Sequence, residues 1–439
     1  MKNEREDYLM KMKKTLSALL AVVLAAGTMF GCSSPSGSSS AGGTKSAAAT
    51  AAKAGKADLT VSTWAGAGEL KEMQKIVDKL NASSQDYNLK IQSIPADYYV
   101  KIQAMISAKK APDLMWLSQE YIPMYAKLGV LMDISDKAQN DQKVNLSNYY
   151  EGPLNTAKYK DKLYGLPWIS QPVVMYYNES LLKEAGVTFP DGNWSWEDFR
   201  TAAKKATKRD SSGKTTQWGT VISGWPPIQT WIWAFGGETV DKDGNIKIDS
   251  PESIKGLKVL NNILNVDKVS PSKEQAQNMG DADLFKTGKV AMFFGGAGDD
   301  LEKQVGSKFK VGMSEIPHGD KKTTFSWIAS TVVSSGTKNK DAAYKALVDL
   351  TNATFQWKVV PPIKTGFDMV TKNMPEKAYA LNTIKASAQY ARGFNNQEKE
   401  PELDTAIGDE LYTPLINGKK TPEQGAKDAA AKMKEIISK

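Results

Sequence analysis

The sequence predicts an α/β fold whose sheets are mostly parallel and flanked by helices. Three observations lead there. Short β-rich runs alternate with helical runs between Asp58 and Leu117. A second set of strand and helix signals follows from Val173 to Gly296. The chain is 439 residues long, 41% hydrophobic and 24% charged, which is globular usage with enough apolar material for two or three domains.

The elements follow in chain order. Leu59-Thr-Val-Ser-Thr-Trp64 is a β-rich run that ends in Ala-Gly-Ala-Gly. From Glu69 to Leu80, apolar residues recur at helical spacing (Leu70, Met73, Ile76, Val77, Leu80). Leu89–Ile94 reads as a second strand, Val100–Ala108 as a second helix, and Leu114–Leu117 as a third strand after Pro112-Asp113. This βαβαβ order argues for parallel pairing with helices on both faces. In such sheets ligands sit beyond the carboxyl ends of the strands, where Trp64 and Trp116-Leu117-Ser118 fall. Val173–Tyr177 reads as another strand, and Ser195-Trp-Glu-Asp198 as a capping box that opens a helix. Val240–Asp249 reads as a hairpin around Asp243-Gly244. It is not a calcium loop, because its glycine stands at the fourth position and not the sixth. Gly288–Gly296 is a buried strand with a glycine turn, Thr337 precedes a helix, and Thr421-Pro-Glu-Gln424 caps a final amphipathic helix.

Composition excludes whole classes of chemistry. With one cysteine and one histidine, neither a disulfide nor a Cys/His zinc cluster is possible. His318, in Pro317-His318-Gly319, reads as a turn residue with no nucleophile or orienter motif beside it. The net charge of +8 comes from evenly spread lysines, so no nucleic-acid footprint stands out. No cofactor or metal is expected, and there is no Walker motif.

Lys11, Lys13 and Lys14 precede the apolar run Leu16–Phe30, a signal-peptide pattern too short to span a bilayer. Met10 or Met12 would begin a better signal peptide than Met1, because Glu4, Glu6 and Asp7 are unusual in a charged n-region. Gly31-Cys32 closes the run and resembles a bacterial lipoprotein box, which implies a lipid on Cys32, although Met29 and Phe30 depart from the preferred box. The Ser/Gly/Ala-rich residues 32–57 that follow behave as a flexible tether.

Several segments, in this order, resemble the bacterial extracellular solute-binding proteins of family 1, the relatives of maltose-binding protein. They are Ser107-Ala-Lys-Lys-Ala-Pro-Asp-Leu-Met-Trp116, Tyr164-Gly-Leu-Pro-Trp168, Met175-Tyr-Tyr-Asn178 with Leu181–Gly186, and Trp194-Ser-Trp-Glu-Asp-Phe199. Ala234-Phe-Gly-Gly-Glu238, the Asp243-Gly244 hairpin with Ser250-Pro-Glu252, and Phe285–Met292 continue the series. The resemblance implies a two-lobed, Venus-flytrap fold that closes on its ligand. It places the lobe crossings near Ser170–Pro172, Pro317 and Met374. Residues 1–31 would then be the signal peptide, 58–170 plus 318–374 one lobe, and 171–317 plus 375–439 the other. It further implies a monomeric, non-enzymatic lipoprotein that captures a sugar outside the cytoplasm for membrane permease subunits driven by a separate ATPase.

Sugars offer hydroxyls at their edges and apolar faces, so a sugar site needs aromatic platforms with polar groups at the rim. Of 11 tryptophans, Trp64, Trp116, Trp168, Trp225, Trp231, Trp233 and Trp327 fall at predicted strand ends or loops and are platform candidates. Trp194, Trp196, Trp218 and Trp357 fall in helix starts, a strand or a helix and read as core. By their place in the matching segments, Glu69, Glu120, Gln171, Gly296, Asp299 and Arg392 complete the expected site. Ala297-Gly298 departs from the aromatic that maltose-binding relatives carry in this turn. The alternatives are the same fold with a peptide, polyamine or phosphodiester ligand, a sensor lipoprotein, or a glycoside hydrolase. The last would need two carboxylates flanking a bond, and no motif pairs them.

Overall fold

The computed structural model describes residues 55–357, 360–395 and 397–439. The expected signal peptide, Cys32 and nearly all of the tether lie outside the described residues.

Strand β1 (Ala57–Thr63) pairs in parallel with β2 (Tyr87–Ser93) along its whole length and with β3 (Leu114–Ser118) on its other side. The helices between them, Ala67–Ser83 and Tyr98–Ser107, bury Met73 and Val77, and Tyr98 and Ile102. Asp113 ties the start of β3 to its neighbours. One carboxylate oxygen accepts from the Thr60 N–H at 2.9 Å and the other from the Thr337 hydroxyl at 2.6 Å.

A short hairpin, β4 (Lys158–Tyr159) and β5 (Lys162–Leu163), precedes the strand that organises the molecule. This is β6, 14 residues from Gly165 to Asn178. Beyond it come β7 (Lys208–Arg209), β8 (Thr215–Val221), β9 (Val290–Gly296), β10 (Val311–Ser314), β11 (Thr324–Val333) and β12 (Ala391–Arg392). The sheet runs β2-β1-β3-β11-β6-β9-β8-β7, with β10 also on β6 and β12 on β11. Up to Pro172, β6 pairs with β11; from Val173 it pairs with β9 and, farther along, with β10, all antiparallel. One strand thus serves two half-sheets. The sheet is mixed and not mostly parallel, because β11 runs antiparallel to both β3 and β6 and β9 runs antiparallel to β6.

The buried apolar residues form three clusters. The first joins Leu59, Val61, Met73, Leu114, Trp116 and Trp168 to Leu347 and Phe355. The other two lie on opposite faces of the second half-sheet. Along β6, Val173, Met175 and Tyr177 enter one cluster and Val174 and Tyr176 the other, the period-2 alternation of a strand covered on both sides. Val360, Phe367, Val370 and Met374 pack with Val174 and Tyr176, whereas Ile363 packs in the first cluster. Phe355 and Ile363 thus belong to the first cluster, and Val360, Phe367, Val370 and Met374 to the third.

Two helix starts carry the caps that their sequences specify. Ser195 Oγ accepts from the Asp198 N–H while Asp198 accepts from the Ser195 N–H, and Thr421 Oγ1 accepts from the Gln424 N–H. His318 forms a single β-bridge with Ser195. In the Val240–Ile246 turn, Asp241 accepts from the backbone N–H groups of Asp243 and Asn245.

Candidate binding cleft

β1, β3, β6 and β11 bring four tryptophans to one place. Trp64 follows β1, Trp116 is on β3, Trp168 on the first half of β6, and Trp327 on β11. Trp116 and Trp168 stack at 4.2 Å between centroids and 30°. Trp64 lies 5.5 Å from Trp116, tilted to it, and 5.9 Å from Trp327, edge to face. A fifth ring, Trp357, stands 6.4 Å from Trp168, and its Nε1–H donates to Glu72 at 2.5 Å. These rings, with Gly68, Glu69, Glu72 and Ile169, line a cavity of about 590 Å³. The indole N–H groups of Trp116 and Trp168 are buried with no partner in the protein. Such donors are costly to leave unmet, and both lie enclosed behind the ring faces that line the cavity.

A second cavity, about 540 Å³, shares Trp327 with the first as a lining residue. It is bordered by Gln171, Ser223, Trp225, Asp281, Phe293, Gly296 and Asp299. Trp327 sits opposite Gln171 in the β11–β6 ladder, so the two cavities meet where β6 changes partner. Gln171 Nε2 donates to Asp299 Oδ1 at 3.3 Å, and the Gly296 N–H donates to Asp299 Oδ2 at 2.9 Å. Gln171 Oε1 is left without a partner. Position 296 has to be glycine for this packing, because a Cβ there would lie 2.5 Å from Gln171 Cγ. Ser223 gives both its N–H and its hydroxyl to Asp281. Burial raises the pKa of Asp281 and Asp299 above the ordinary carboxylate value. The half-buried Trp225 sits edge-on to Phe325 at 5.9 Å, and the Tyr412 hydroxyl holds its loop by donating to the Pro226 carbonyl at 2.5 Å.

The structure thus brings Trp64, Glu69, Trp116, Trp168, Gln171, Trp225, Gly296, Asp299 and Trp327 to the two joined cavities. It places four other expected residues elsewhere, among them Trp233, which is buried in the core of the second half-sheet. Trp231 is 0% exposed, in the core against Trp196 at 4.4 Å. Arg392 is held by a bidentate pair with Glu238 at 2.7 and 3.2 Å and lies over Trp233, whose own Nε1–H donates to Glu238. Arg392 borders a separate groove, with Tyr150 and Thr156. Glu120, in the turn after β3, is enclosed, and burial raises its pKa. Its charge acts on Asp404, whose pKa burial and Glu120 together push up to about 7, and on the buried Glu400. Trp357, Glu72, Ser223 and Asp281 are lining residues that sequence reasoning did not select. Trp357 was read as helical, but it stands past the end of the helix Lys340–Thr354.

The fold has counterparts among known proteins. Residues 66–356 match the family model of bacterial extracellular solute-binding proteins. The chain belongs to this family. A binding protein of Brucella abortus (strain 2308) is 25% identical over 88% of this chain and 95% of its own length. The maltodextrin-binding protein of Bacillus subtilis (strain 168) is 23% identical over 97% of this chain and 98% of its own. Among solved structures, an ABC substrate-binding protein of Listeria monocytogenes in complex with cycloalternan superposes with a TM-score of 0.74 at 25% identity, covering 87% of this chain and 99% of that one. Family membership implies a place outside the cytoplasm and a part in solute uptake; the two-lobed α/β architecture is the one these neighbours share.

Proposed function

We propose that this chain captures a saccharide by hinged closure of its lobes and presents it to membrane permease subunits, with a separate ATPase driving import and a lipid on Cys32 holding the protein at the membrane. The observation that carries the reading is the pair of cavities joined at Trp327. One is walled by stacked indoles and the other by carboxylate and amide oxygens, the two surfaces a sugar ring needs. The relatives point the same way, one being named for maltodextrin and another being in complex with cycloalternan. A ligand touching both cavities favours the closed arrangement by its differential affinity for it. The lobes are proposed to follow the division drawn from the sequence, with β6 and β11 at their boundary. The protein acts by binding, without turnover.

The test is a thermal-shift panel of mono- and oligosaccharides, with peptides, polyamines and phosphodiesters alongside. Binding to the native state raises apparent stability by mass action. Stabilisation by saccharides, with no new reducing ends released, is the expected result. Stabilisation only by a non-sugar, or measurable hydrolysis, overturns the reading.

A further inference from the structure

Resting on saccharide capture, we infer that the cleft takes sugars that carry no anionic group, and that Glu69, Asp281 and Asp299 are the residues that enforce this. The chain carries a net charge of +8, yet every charged side chain lining the two cavities is a carboxylate: Glu69 and Glu72 on one side, Asp281 and Asp299 on the other.

Recognition of a carboxylate, sulfate or phosphate needs Arg or Lys forks or free backbone N–H groups. Here several donors beside the carboxylates are committed. The Gly296 N–H and Gln171 Nε2 serve Asp299, and the Ser223 N–H and hydroxyl serve Asp281. Behind the turn, Lys377 is 0% exposed and has three donors. They reach Glu302, the Tyr176 hydroxyl and the Asp299 carbonyl, so none is left for the cleft. Besides the carboxylates, the groups along the cleft left without a protein partner are the acceptor Gln171 Oε1 and the enclosed indole N–H groups of Trp116 and Trp168. Hydroxyls satisfy such a set in both directions, and amino groups gain from it. An anion would sit beside these carboxylates, which repel it.

The experiment measures calorimetric affinities of the purified chain at low ionic strength for trisaccharides matched in linkage. The sets are cellotriose with the glucosamine and glucuronate trimers, mannotriose with the mannuronate trimer, and galactotriose with the galacturonate trimer. In any set where a member binds, the uronate is expected to bind at least about tenfold more weakly than its neutral counterpart. A uronate that binds as tightly as its neutral counterpart overturns the inference while leaving saccharide capture standing. Absence of binding across every set, including the neutral members, overturns saccharide capture itself. In Asp281→Asn, Asp299→Asn and Glu69→Gln variants the neutral-to-uronate ratio should narrow; a ratio unchanged in all three overturns the assignment to these residues.

Discussion

Lys377 Nζ lies 2.5 Å from the Asp299 carbonyl oxygen, linking the segment that follows the helix Phe367–Asn373 to the turn that lines the cleft. The same ammonium pairs with Glu302 at 2.8 Å and donates to the Tyr176 hydroxyl at 3.0 Å, which in turn donates to the Gly296 carbonyl. Burial pulls the lysine pKa down and Glu302 opposes that. Removing one partner of a buried pair leaves the other uncompensated, so Lys377→Met should cost about 3–5 kcal/mol in urea unfolding. Ligand affinity should fall too, because the Asp299 turn loses its support. An unchanged urea midpoint would show that the pair contributes nothing.

Trp225 and Trp231 lie six positions apart and should behave oppositely. Trp225→Ala removes a half-buried ring at the cleft, and it should abolish the ligand-induced thermal shift while leaving the fold intact. Trp231→Ala opens the core and should cost about 3–5 kcal/mol, with ligand affinity unchanged in the fraction that folds. Thermal shift and calorimetry on both variants separate the two roles.

Gly296→Ala tests the packing behind the cleft. Its Cβ would meet Gln171 Cγ at 2.5 Å, so Gln171 has to swing away from Asp299. Affinity is expected to drop by about tenfold, or about 1.4 kcal/mol, with a much smaller change in stability. Wild-type affinity in this variant would place Gln171 outside the contact set.

The buried acids predict a pH dependence. The Asp404 pKa is pushed up from 3.8 to about 7, and that of Glu400 well above its ordinary value. For an acid whose folded pKa is raised, the native state holds more protons than the unfolded state across the window between the two values. Its stabilising contribution is therefore complete below the unfolded value and is lost as pH rises from about 4 to about 7, at up to about 1.4 kcal/mol per pH unit. Asp404→Asn should remove much of this slope. The variant should be more stable than wild type at pH 8 and close to it at pH 4, as read by urea unfolding at each pH.

The first βαβαβ unit was legible in the sequence because local signals agreed: β1, β2 and β3 and the two helices between them fall within a few residues of their expected limits. β6 was only half legible. Pro167 and Pro172 argue against a strand, yet the strand runs through both. Pro167 sits opposite the register shift at Ala329/Ser330, and Pro172 sits where β6 leaves β11 for β9, so neither missing N–H interrupts a regular ladder. Parallel pairing was over-read for the same reason, since the strands that turn back between lobes give no local sign of their direction. In the cleft, ring type and place near strand ends pointed to Trp64, Trp116, Trp168 and Trp327. No periodicity distinguishes Trp231, whose surroundings come from residues far along the chain, or reveals that Arg392 is committed to Glu238.

A gene truncated at Pro172 would yield a first piece without β11, the strand that pairs with both β3 and the first half of β6, so both of those edges would be bared. The remaining piece, begun after Asn178, would bare the lengthwise edges of both β9 and β10 to solvent. Unpaired edges of that kind recruit strands from other molecules. A cut on either side of Val173–Asn178 therefore leaves exposed edges, because β6 needs β11 along its first half and β9 and β10 along its second.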